Sequence, residues 1–147
     1  MLLSGEIVLV KYRLYVYKNA DDALKEKGLL EEVKNVLEEI KRASHREIQA
    51  ELQHKGWTVE HKIFQETTWA WDAYKGKVAV SIEFSLIDAV HRDLLRAILG
   101  HKKGDLDALV YVTSTFKEPR FQNVKRDIEI FKEILNFPIL LVGLAQV

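Results

Sequence analysis

The sequence predicts an α/β protein in which helices flank a mixed central sheet. The chain has 147 residues, of which 48% are apolar and 30% are charged, a balance that favours one compact domain. From residue 44 onward, the hydrophobic periods predict helix, three strands, helix, strand, helix and strand. Tight turns join antiparallel strands, whereas strand-helix-strand crossovers join parallel ones, so the sheet is expected to contain both kinds.

The N-terminal region predicts one strand and one long helix. Residues 6–17, EIVLVKYRLYVY, are rich in β-branched and aromatic side chains, which is typical of a strand. Over residues 21–42, apolar side chains recur at spacings of three and four, as in an amphipathic helix, and Gly28 is a weak point near its start. We expect residues 1–43 to add to a core formed by residues 44–147 within a single domain.

A second helix and a three-stranded meander are predicted next. Residues 44–47, Ser-His-Arg-Glu, have the capping-box pattern and predict a helix that runs to Lys55 and ends at Gly56. Three strand patterns follow with short turns between them, which is typical of an antiparallel meander. They cover residues 57–65, 68–74 and 77–84.

Helices and buried strands alternate in the last third of the chain. Ser85 with an aspartate three residues later predicts a capped helix that runs to Gly100. Residues 106–113 and 137–144 are apolar runs, as expected of strands buried on both faces. The periodicity of residues 122–135 predicts another long helix between them.

Composition excludes several classes of protein. The chain has no cysteine, which excludes disulfides and thiolate metal sites. Lys plus Arg and Asp plus Glu number 22 each, so any nucleic-acid binding must come from local basic patches. Charges at Glu6, Lys11 and Arg13 interrupt the apolar N-terminal segment, which is also short for a membrane span. We therefore expect a soluble, cytoplasmic protein with no membrane partner.

The third strand of the meander, KVAVSIEFS, carries the residues that point to chemistry. Because side chains alternate along a strand, its apolar set is expected to face the core and its small and polar set the opposite side. The two sets are Val78, Val80, Ile82 and Phe84, and Ala79, Ser81, Glu83 and Ser85. Asp72 lies on the preceding strand, one short turn away, so Asp72 and Glu83 are expected to converge. Two carboxylates repel each other unless a cation intervenes, which indicates a site for a hard cation.

A carboxylate pair of this kind suits phosphodiester hydrolysis. A magnesium ion held by Asp72 and Glu83 would orient and deprotonate a water and stabilise the charge that develops on the leaving oxygen. The spacing alone leaves an alternative open, in which Asp72 is a surface acid near a turn and Glu83 is an ion-paired or edge residue.

The order of elements and the segment WDAYKGKVAVSIEFSLIDAVHRDLLRA resemble the PD-(D/E)XK nuclease superfamily. More narrowly, they are similar to the BglII/BstYI-like type II restriction endonucleases, which implies a restriction-endonuclease-like core. In that family an aspartate is followed, after eight residues, by a strand reading Glu-x-Gln or Glu-x-Glu, a small polar residue, an Asp and an Arg-Asp-Leu helix. Here Asp72, Glu83 and Ser85 match the aspartate, the second polar position and the small polar residue, and Asp88 with residues 92–94 matches the entry of the helix. The resemblance covers residues 44–113 and extends more loosely to the C-terminus.

Ser81 stands where the family has a metal-binding glutamate. A neutral hydroxyl is a poorer magnesium ligand than a carboxylate, so the site would hold one negative charge fewer. In an alternative register Glu83 is the acid and Ser85 takes the place of the superfamily's lysine, but the Arg-Asp-Leu helix is then out of step. Asp72 and Glu83 belong to the site in both registers, and in both one catalytic group is missing.

The resemblance also implies residues that would complete the site. In position, Glu51, or Glu47 one turn earlier, resembles the acid that many superfamily members add from the helix before the meander. The alternative is that both glutamates belong to a solvated face of that helix. Asp72, Ser81 and Glu83 are the candidate catalytic residues, and Asp72, Glu83 and Glu51 the candidate metal ligands. The candidate substrate-binding residues are Ser85, His91, Arg92 and Lys103.

Taken with the resemblance, these residues predict an endodeoxyribonuclease that depends on Mg²⁺ or Mn²⁺ and binds DNA. The family implies a homodimer, because two identical subunits cut both strands most simply. Ser81 keeps a second hypothesis open, in which the chain is a catalytically inactive nuclease fold that binds nucleic acid or protein. A third hypothesis is a structural protein that shares only the fold.

Overall fold

A computed structural model describes residues 4–9, 11–117 and 119–145. Within these ranges the chain forms seven strands and five helices. The strands are β1 (Gly5–Val8), β2 (Tyr12–Tyr17), β3 (Thr58–Lys62), β4 (Ala70–Lys75), β5 (Val78–Ile82), β6 (Ala108–Ser114) and β7 (Ile139–Leu144). The helices are α1 (Ala20–Glu26), α2 (Leu30–Glu39), α3 (His45–His54), α4 (Ile87–Lys102) and α5 (Phe121–Ile130).

All seven strands belong to one mixed sheet in the order β1-β2-β7-β6-β5-β4-β3. The crossovers through α4 and α5 make β5, β6 and β7 parallel neighbours, as predicted. The meander β3-β4-β5 is antiparallel, also as predicted. On the other side, β2 pairs antiparallel with β7 and brings the N-terminal segment into the same sheet. The α/β class with a mixed central sheet is therefore confirmed.

Helices cover both faces of the sheet and form two apolar clusters. The first cluster joins α1, α2 and α3 to one face of the sheet, including Val78, Val80 and Ile82. The second joins α4 and α5 to the other face, including Ala79 and Tyr111. The predicted alternation along β5 is thus confirmed, and the face that carries Ser81 is turned toward the layer of α4.

The N-terminal region differs from its prediction in two places. The single strand predicted over residues 6–17 is a β1-β2 hairpin, in which the backbone N–H of Leu9 donates to the carbonyl of Tyr12 (2.9 Å). No Gly, Pro or Asn marks that turn in the sequence. The helix predicted over residues 21–42 is divided into α1 and α2 at Gly28, whose φ of 72° is left-handed. Leu29 and Gly28 donate to the carbonyls of Leu24 and Lys25, which is the Schellman arrangement that ends α1.

The ends of the later helices show which capping predictions hold. Ser44 caps α3 as predicted, since its Oγ accepts from the backbone N–H of Glu47 at 3.2 Å. The predicted Ser85 cap of α4 is wrong, because the cap residue is Leu86 and no side chain caps from that position. The carboxylate of Glu83 accepts from the backbone N–H groups of Ser85 and Leu86 instead.

Within the described residues, no helix has the length and apolar character needed to cross a bilayer.

Candidate active site

A polar cleft of about 300 Å³ opens where β4 and β5 meet α4. Three carboxylates, two arginines, one histidine and two serines line it, together with a few apolar side chains. The lining residues are His45, Ala70, Asp72, Ser81, Ile82, Glu83, Phe84, Ser85, Ala89, Arg92, Asp93 and Arg96. The cleft therefore gathers side chains from β4, the end of β5, α4 and the first residue of α3.

Asp72 is held in the cleft by three contacts. Its Oδ2 accepts from the backbone N–H of Ile82 at 2.6 Å, which ties the carboxylate to β5. Its backbone carbonyl accepts from the Gln49 amide at 2.9 Å, and its Oδ1 lies 3.1 Å from Nε2 of His45. Both links to α3 arise because that helix packs beside the meander, so the orientation of Asp72 depends on elements on both sides of it.

Glu60 on β3 lies opposite Asp72 on β4. The β3-β4 register is the same on both sides of Glu60, from the pair Val59–Ala73 to the pair His61–Trp71, although Glu60 itself has a left-handed φ of 51°. This conformation is uncommon and strained for a non-glycine residue, and it interrupts the pairing at one position without inserting an extra residue. One ligand atom from each of His45, Glu60 and Asp72 then lies within 4.8 Å of the others.

His45 is surrounded by carboxylates. Its hydrogen bond to Asp72 raises the pKa of the imidazole above its ordinary value, against the opposing effect of burial. The negative charges of Asp72, Glu60 and Glu83 raise the His45 pKa further. The imidazole is therefore held in its protonated form to a higher pH than a free histidine.

Ser81 lies at the bottom of the cleft and is only 5% exposed. Its neighbour in the parallel pairing of β5 with β6 is Tyr111. The Tyr111 hydroxyl donates to Oδ2 of Asp93 on α4 at 2.8 Å. Ser81, Tyr111 and Asp93 therefore lie in adjoining elements on one side of the sheet.

Asp93 is a mostly buried acid in this cleft. Burial raises the pKa of its carboxyl to about 6, and the Tyr111 hydrogen bond partly opposes that rise. The charges of Asp72 and Glu83 raise the Asp93 pKa further, and Arg96 lowers it. Burial and the adjacent Asp93 also raise the pKa of Tyr111. Three acids thus share one electrostatic environment.

Glu83 follows the last residue of β5 and is half-buried. Its Oε2 accepts from the backbone N–H groups of Ser85 at 2.9 Å and Leu86 at 3.1 Å. These N–H groups lie at the start of α4, where the helix dipole also favours a negative charge. Glu83 therefore both lines the cleft and satisfies donors at the end of the helix.

The cations of the cleft come from α4. Arg92 is exposed, and the Arg96 guanidinium lies 4.8 Å from the centre of the Trp69 ring. Planar guanidinium groups with several N–H donors are well suited to phosphate oxygens.

The structure brings together five of the predicted site residues, namely Asp72, Ser81, Glu83, Ser85 and Arg92. Glu51, His91 and Lys103 are not among the described residues that line the cleft. His91 lies 2.9 Å from Asp127 and borders a separate apolar groove. Lys103 lies 3.4 Å from Asp105 and donates to the carbonyl of Ile63, and Glu51 is half-buried on α3.

Sequence reasoning did not identify His45, Glu60, Asp93 and Arg96 as site residues. His45 stood inside the capping-box pattern, but its approach to Asp72 depends on how α3 packs. Asp93 carried a usable signal, because it lies between Val90 and Leu94 on the buried side of α4, where an acid needs a partner. Nothing in the sequence predicted the left-handed conformation of Glu60.

Comparisons with known proteins agree with this fold. Six chains of known structure match significantly, among them one described as the crystal structure of restriction endonuclease BglII complexed with a DNA 16-mer. That match has a TM-score of 0.82 and 17% sequence identity, and it covers 94% of this chain and 79% of the other. A comparison with curated protein sequences gives no significant match. The family model described as restriction endonuclease BglII/BglIII matches residues 12–144. The resemblance noted over residues 44–113 thus extends through most of the N-terminal region, and the chain belongs to the BglII/BglIII restriction endonuclease family.

Proposed function

We propose that this protein is a metal-dependent endodeoxyribonuclease that hydrolyses phosphodiester bonds in duplex DNA. The observation that carries the proposal is the convergence of Asp72, Glu83 and Asp93 with two arginines in one cleft of a BglII-type fold. The matched structure of BglII is a complex with DNA, which supports DNA as the substrate here.

The donor atoms of the site fit a divalent cation, and Mg²⁺ or Mn²⁺ is the cation we propose. Asp72 and Glu83 are the proposed carboxylate ligands, and carboxylate oxygens suit both ions. Glu60, and His45 once its imidazole has lost its proton, add ligand atoms that lie within 4.8 Å of those of Asp72. When bound, a divalent cation would polarise a phosphoryl oxygen and lower the pKa of a coordinated water.

The side chains around the acids would orient the DNA backbone. Arg92 and Arg96 line the side of the cleft formed by α4, where they would donate to non-bridging phosphate oxygens. Ser85 is exposed at the same cleft and offers a hydroxyl donor. Such contacts fix the register of a duplex but do not read its base sequence.

Ser81 favours a second candidate function. Its neutral side chain replaces an expected glutamate, so the site is proposed to be weakened, and the alternative is an inactive nuclease fold that binds nucleic acid or protein. Both functions retain the cleft and its arginines, so they differ in cleavage rather than in fold.

We would test the function with plasmid and oligonucleotide substrates in Mg²⁺ or Mn²⁺, comparing the wild type with Asp72→Ala, Glu83→Ala and Ser81→Glu. Asp88→Asn is the matched control, because Asp88 is an exposed acid on α4 that does not line the cleft. Cleavage by the wild type that either alanine variant abolishes would support the nuclease. Cleavage by Ser81→Glu alone would support an inactive binding module. The absence of cleavage and of salt-dependent DNA binding in every variant would contradict both the nuclease and a nucleic-acid-binding module.

We also propose that the active form is a homodimer. An apolar groove of about 290 Å³ lies between α4 and the segment that follows α5. Leu95, Phe131 and Ile134 border it and are exposed at 58%, 38% and 52%. Several large apolar side chains exposed together on one surface are typical of an interaction face. A second copy of this chain is the occupant we propose, because a two-fold pair of sites would cut both DNA strands.

A further inference from the structure

Trp69 is a large aromatic residue at the rim of the cleft. It directly precedes Ala70, which lines the cleft, and it is 37% exposed. The guanidinium carbon of Arg96 on α4 lies 4.8 Å from the centre of the Trp69 ring. At this distance the cation is attracted to the negative face of the indole, which is the best of the aromatic rings for such a contact.

The loop that carries Trp69 is fixed by its own hydrogen bonds. The backbone N–H of Ile63 donates to the carbonyl of Trp69 at 2.9 Å, which closes the loop between β3 and β4. The Thr67 hydroxyl donates to the carbonyl of Phe64 at 3.0 Å and accepts from the backbone N–H of Trp69 at 3.2 Å. The backbone that carries the indole is therefore held within the loop itself.

Contacts with the end of α4 fix the same loop from outside. The Phe64 ring lies 5.9 Å from the Trp69 ring at an angle of 72°, an edge-to-face arrangement. Lys103 follows α4, and its Nζ lies 5.1 Å from the centre of the Phe64 ring. The same Nζ donates to the carbonyl of Ile63 at 3.3 Å. The orientation of the Trp69 ring is thus set relative to the helix that carries Arg96.

Arg96 has free N–H groups although its guanidinium lies against the ring. It is half-buried and lines the cleft. In the part of the chain that the structure describes, its guanidinium has no hydrogen bond and no carboxylate within ion-pair distance, although its charge acts on the Asp93 carboxyl. A planar guanidinium that stacks on a ring uses its face, so the donors at its edge remain available to a ligand. Phosphate oxygens are well matched to such donors.

We propose that Trp69 is a positioning residue for DNA binding, whose ring holds the Arg96 guanidinium at the rim of the cleft with its free N–H groups toward a phosphate of the DNA. Arg92 lies one turn earlier on α4 and is exposed, and among the described residues it has no ring contact. A donor that is already oriented loses less conformational freedom on binding, so Arg96 is the stronger of the two phosphate contacts. This inference rests on the proposed function, because it takes DNA as the ligand.

The first experiment measures the Kd of a fluorescently labelled DNA duplex by anisotropy, with Ca²⁺ as the divalent cation. Trp69→Leu keeps an apolar side chain and should bind at least about threefold more weakly than the wild type, because it loses the contact between cation and ring. Trp69→Phe keeps a ring face and should retain most of the affinity. Equal losses in the Leu and Phe variants would overturn the role of the ring.

Lys18→Gln is the matched control for the loss of a contact between a cation and a ring. Nζ of Lys18 lies 5.4 Å from the centre of the Tyr17 ring. Tyr17 pairs with the first residue of β7, at the end of the sheet opposite to the cleft. Lys18→Gln should therefore bind DNA like the wild type.

A double-mutant cycle tests whether Trp69 acts through Arg96. Arg96→Gln removes the charge and should weaken binding at least about tenfold. Adding Trp69→Leu to Arg96→Gln should weaken binding less than about twofold further, since the ring then has no cation to orient. Losses that multiply in the double variant would overturn the proposal, because Trp69 would then act independently of Arg96.

A pair of conservative variants keeps the test decisive should circular dichroism show that Trp69→Leu does not fold. Arg96→Lys keeps the charge but loses the planar group that stacks on Trp69, so it should bind at least about threefold more weakly than the wild type. Arg92→Lys has no ring contact to lose and should lose less affinity. Equal losses in the two lysine variants would overturn the positioning role.

The outcomes distinguish this inference from the proposed function. If the wild type cleaves DNA and Trp69→Leu binds DNA like the wild type, the role of Trp69 is overturned and the nuclease stands. If the wild type binds DNA but does not cleave it in Mg²⁺ or Mn²⁺, the nuclease fails and the affinities of the Trp69 variants decide the role of Trp69. A wild type that binds no DNA overturns both.

Discussion

Asp72 shows why a residue can be predicted when its surroundings cannot. Its place on the second strand of the meander followed from the strand pattern, and Ser81, Glu83 and Ser85 followed from the alternation along β5. Its contact with His45 did not, because residues 46–71, which lie between the two, first have to fold. Local periodicity thus predicts which residues share a strand face, whereas side chains that arrive from another element depend on tertiary packing.

The pair formed by His45 and Asp72 predicts a stability that depends on pH. The hydrogen bond to Asp72 raises the folded-state pKa of His45 above 6.5, so its contribution is fully present below pH 6.5 and is lost as pH rises through the higher, folded-state value. Urea unfolding in EDTA should therefore show the largest stability difference between the wild type and His45→Gln at acidic pH. His54→Gln, at the other end of α3, controls for the loss of a histidine. A difference that stays constant from about pH 5 to about pH 9 would contradict this explanation.

Asp93 is the opposite case to His45, because burial makes its charged form, the carboxylate, unfavourable in the folded protein. Its pKa is 3.8 ordinarily and about 6 in the fold, so its favourable contribution is complete below pH 3.8 and is lost as pH rises through 6. A shift of this size corresponds to at most about 3 kcal/mol. Asp93→Asn cannot ionise, so in EDTA its stability relative to the wild type should rise between about pH 4 and about pH 7 by up to that amount. Urea titrations at both pH values measure the change, and a relative stability that falls with pH would exclude the burial cost as its cause.

At the scale of elements, turns and helix ends separate the confirmed predictions from the wrong ones. Gly56 ends α3 in a left-handed conformation, as predicted. Gly28 ends α1 in the same way, whereas the sequence had indicated only a weak point within one long helix. The β1-β2 turn carries no such signal, so two strands were predicted as one. The cap at Ser85 was predicted from the same pattern that holds at Ser44. At α4, however, the carboxylate of Glu83, just after β5, accepts from the N–H groups at the start of the helix.

Glu83 combines a role in stability, at the start of α4, with a proposed role in metal binding. Because its carboxylate accepts from two N–H groups at the start of α4, Glu83→Ala should lower the free energy of unfolding by about 1 kcal/mol, the usual cost of losing a cap. Glu83→Gln keeps an acceptor oxygen and should lose less stability, yet it removes the charge that the proposed metal site uses. Denaturant unfolding and Mn²⁺ titration of both variants separate the two roles. Equal stability losses in Gln and Ala would contradict the capping role.

At the scale of the whole molecule, the net charge means that the proposed attraction of DNA would depend on the cleft alone. The formal net charge is zero, so no long-range field draws DNA to the protein. In the proposed nuclease, attraction would come from Arg92, Arg96 and a cation that neutralises the acids beside them. The core was predictable because β6 and β7 are buried along their whole length and their apolar runs are unmistakable. The apolar face proposed for the dimer was not predictable in this way, since such a face becomes visible only when the helices have packed.

That face carries the last prediction, because a dimer through the α4 groove must desolvate its apolar side chains. The wild type should sediment at twice its 17.0 kDa monomer mass. Leu95→Glu and Ile134→Glu each place a charge on the groove and should weaken dimerisation at least about tenfold, since a buried unpaired charge is costly. Val8→Glu is the matched control, an exposed apolar residue on β1 away from the groove. If the wild type cuts both strands as a dimer, the groove variants should nick plasmid rather than linearise it. Sedimentation of the wild type as a monomer, or of Leu95→Glu as an unweakened dimer, would show that the groove is not the interface.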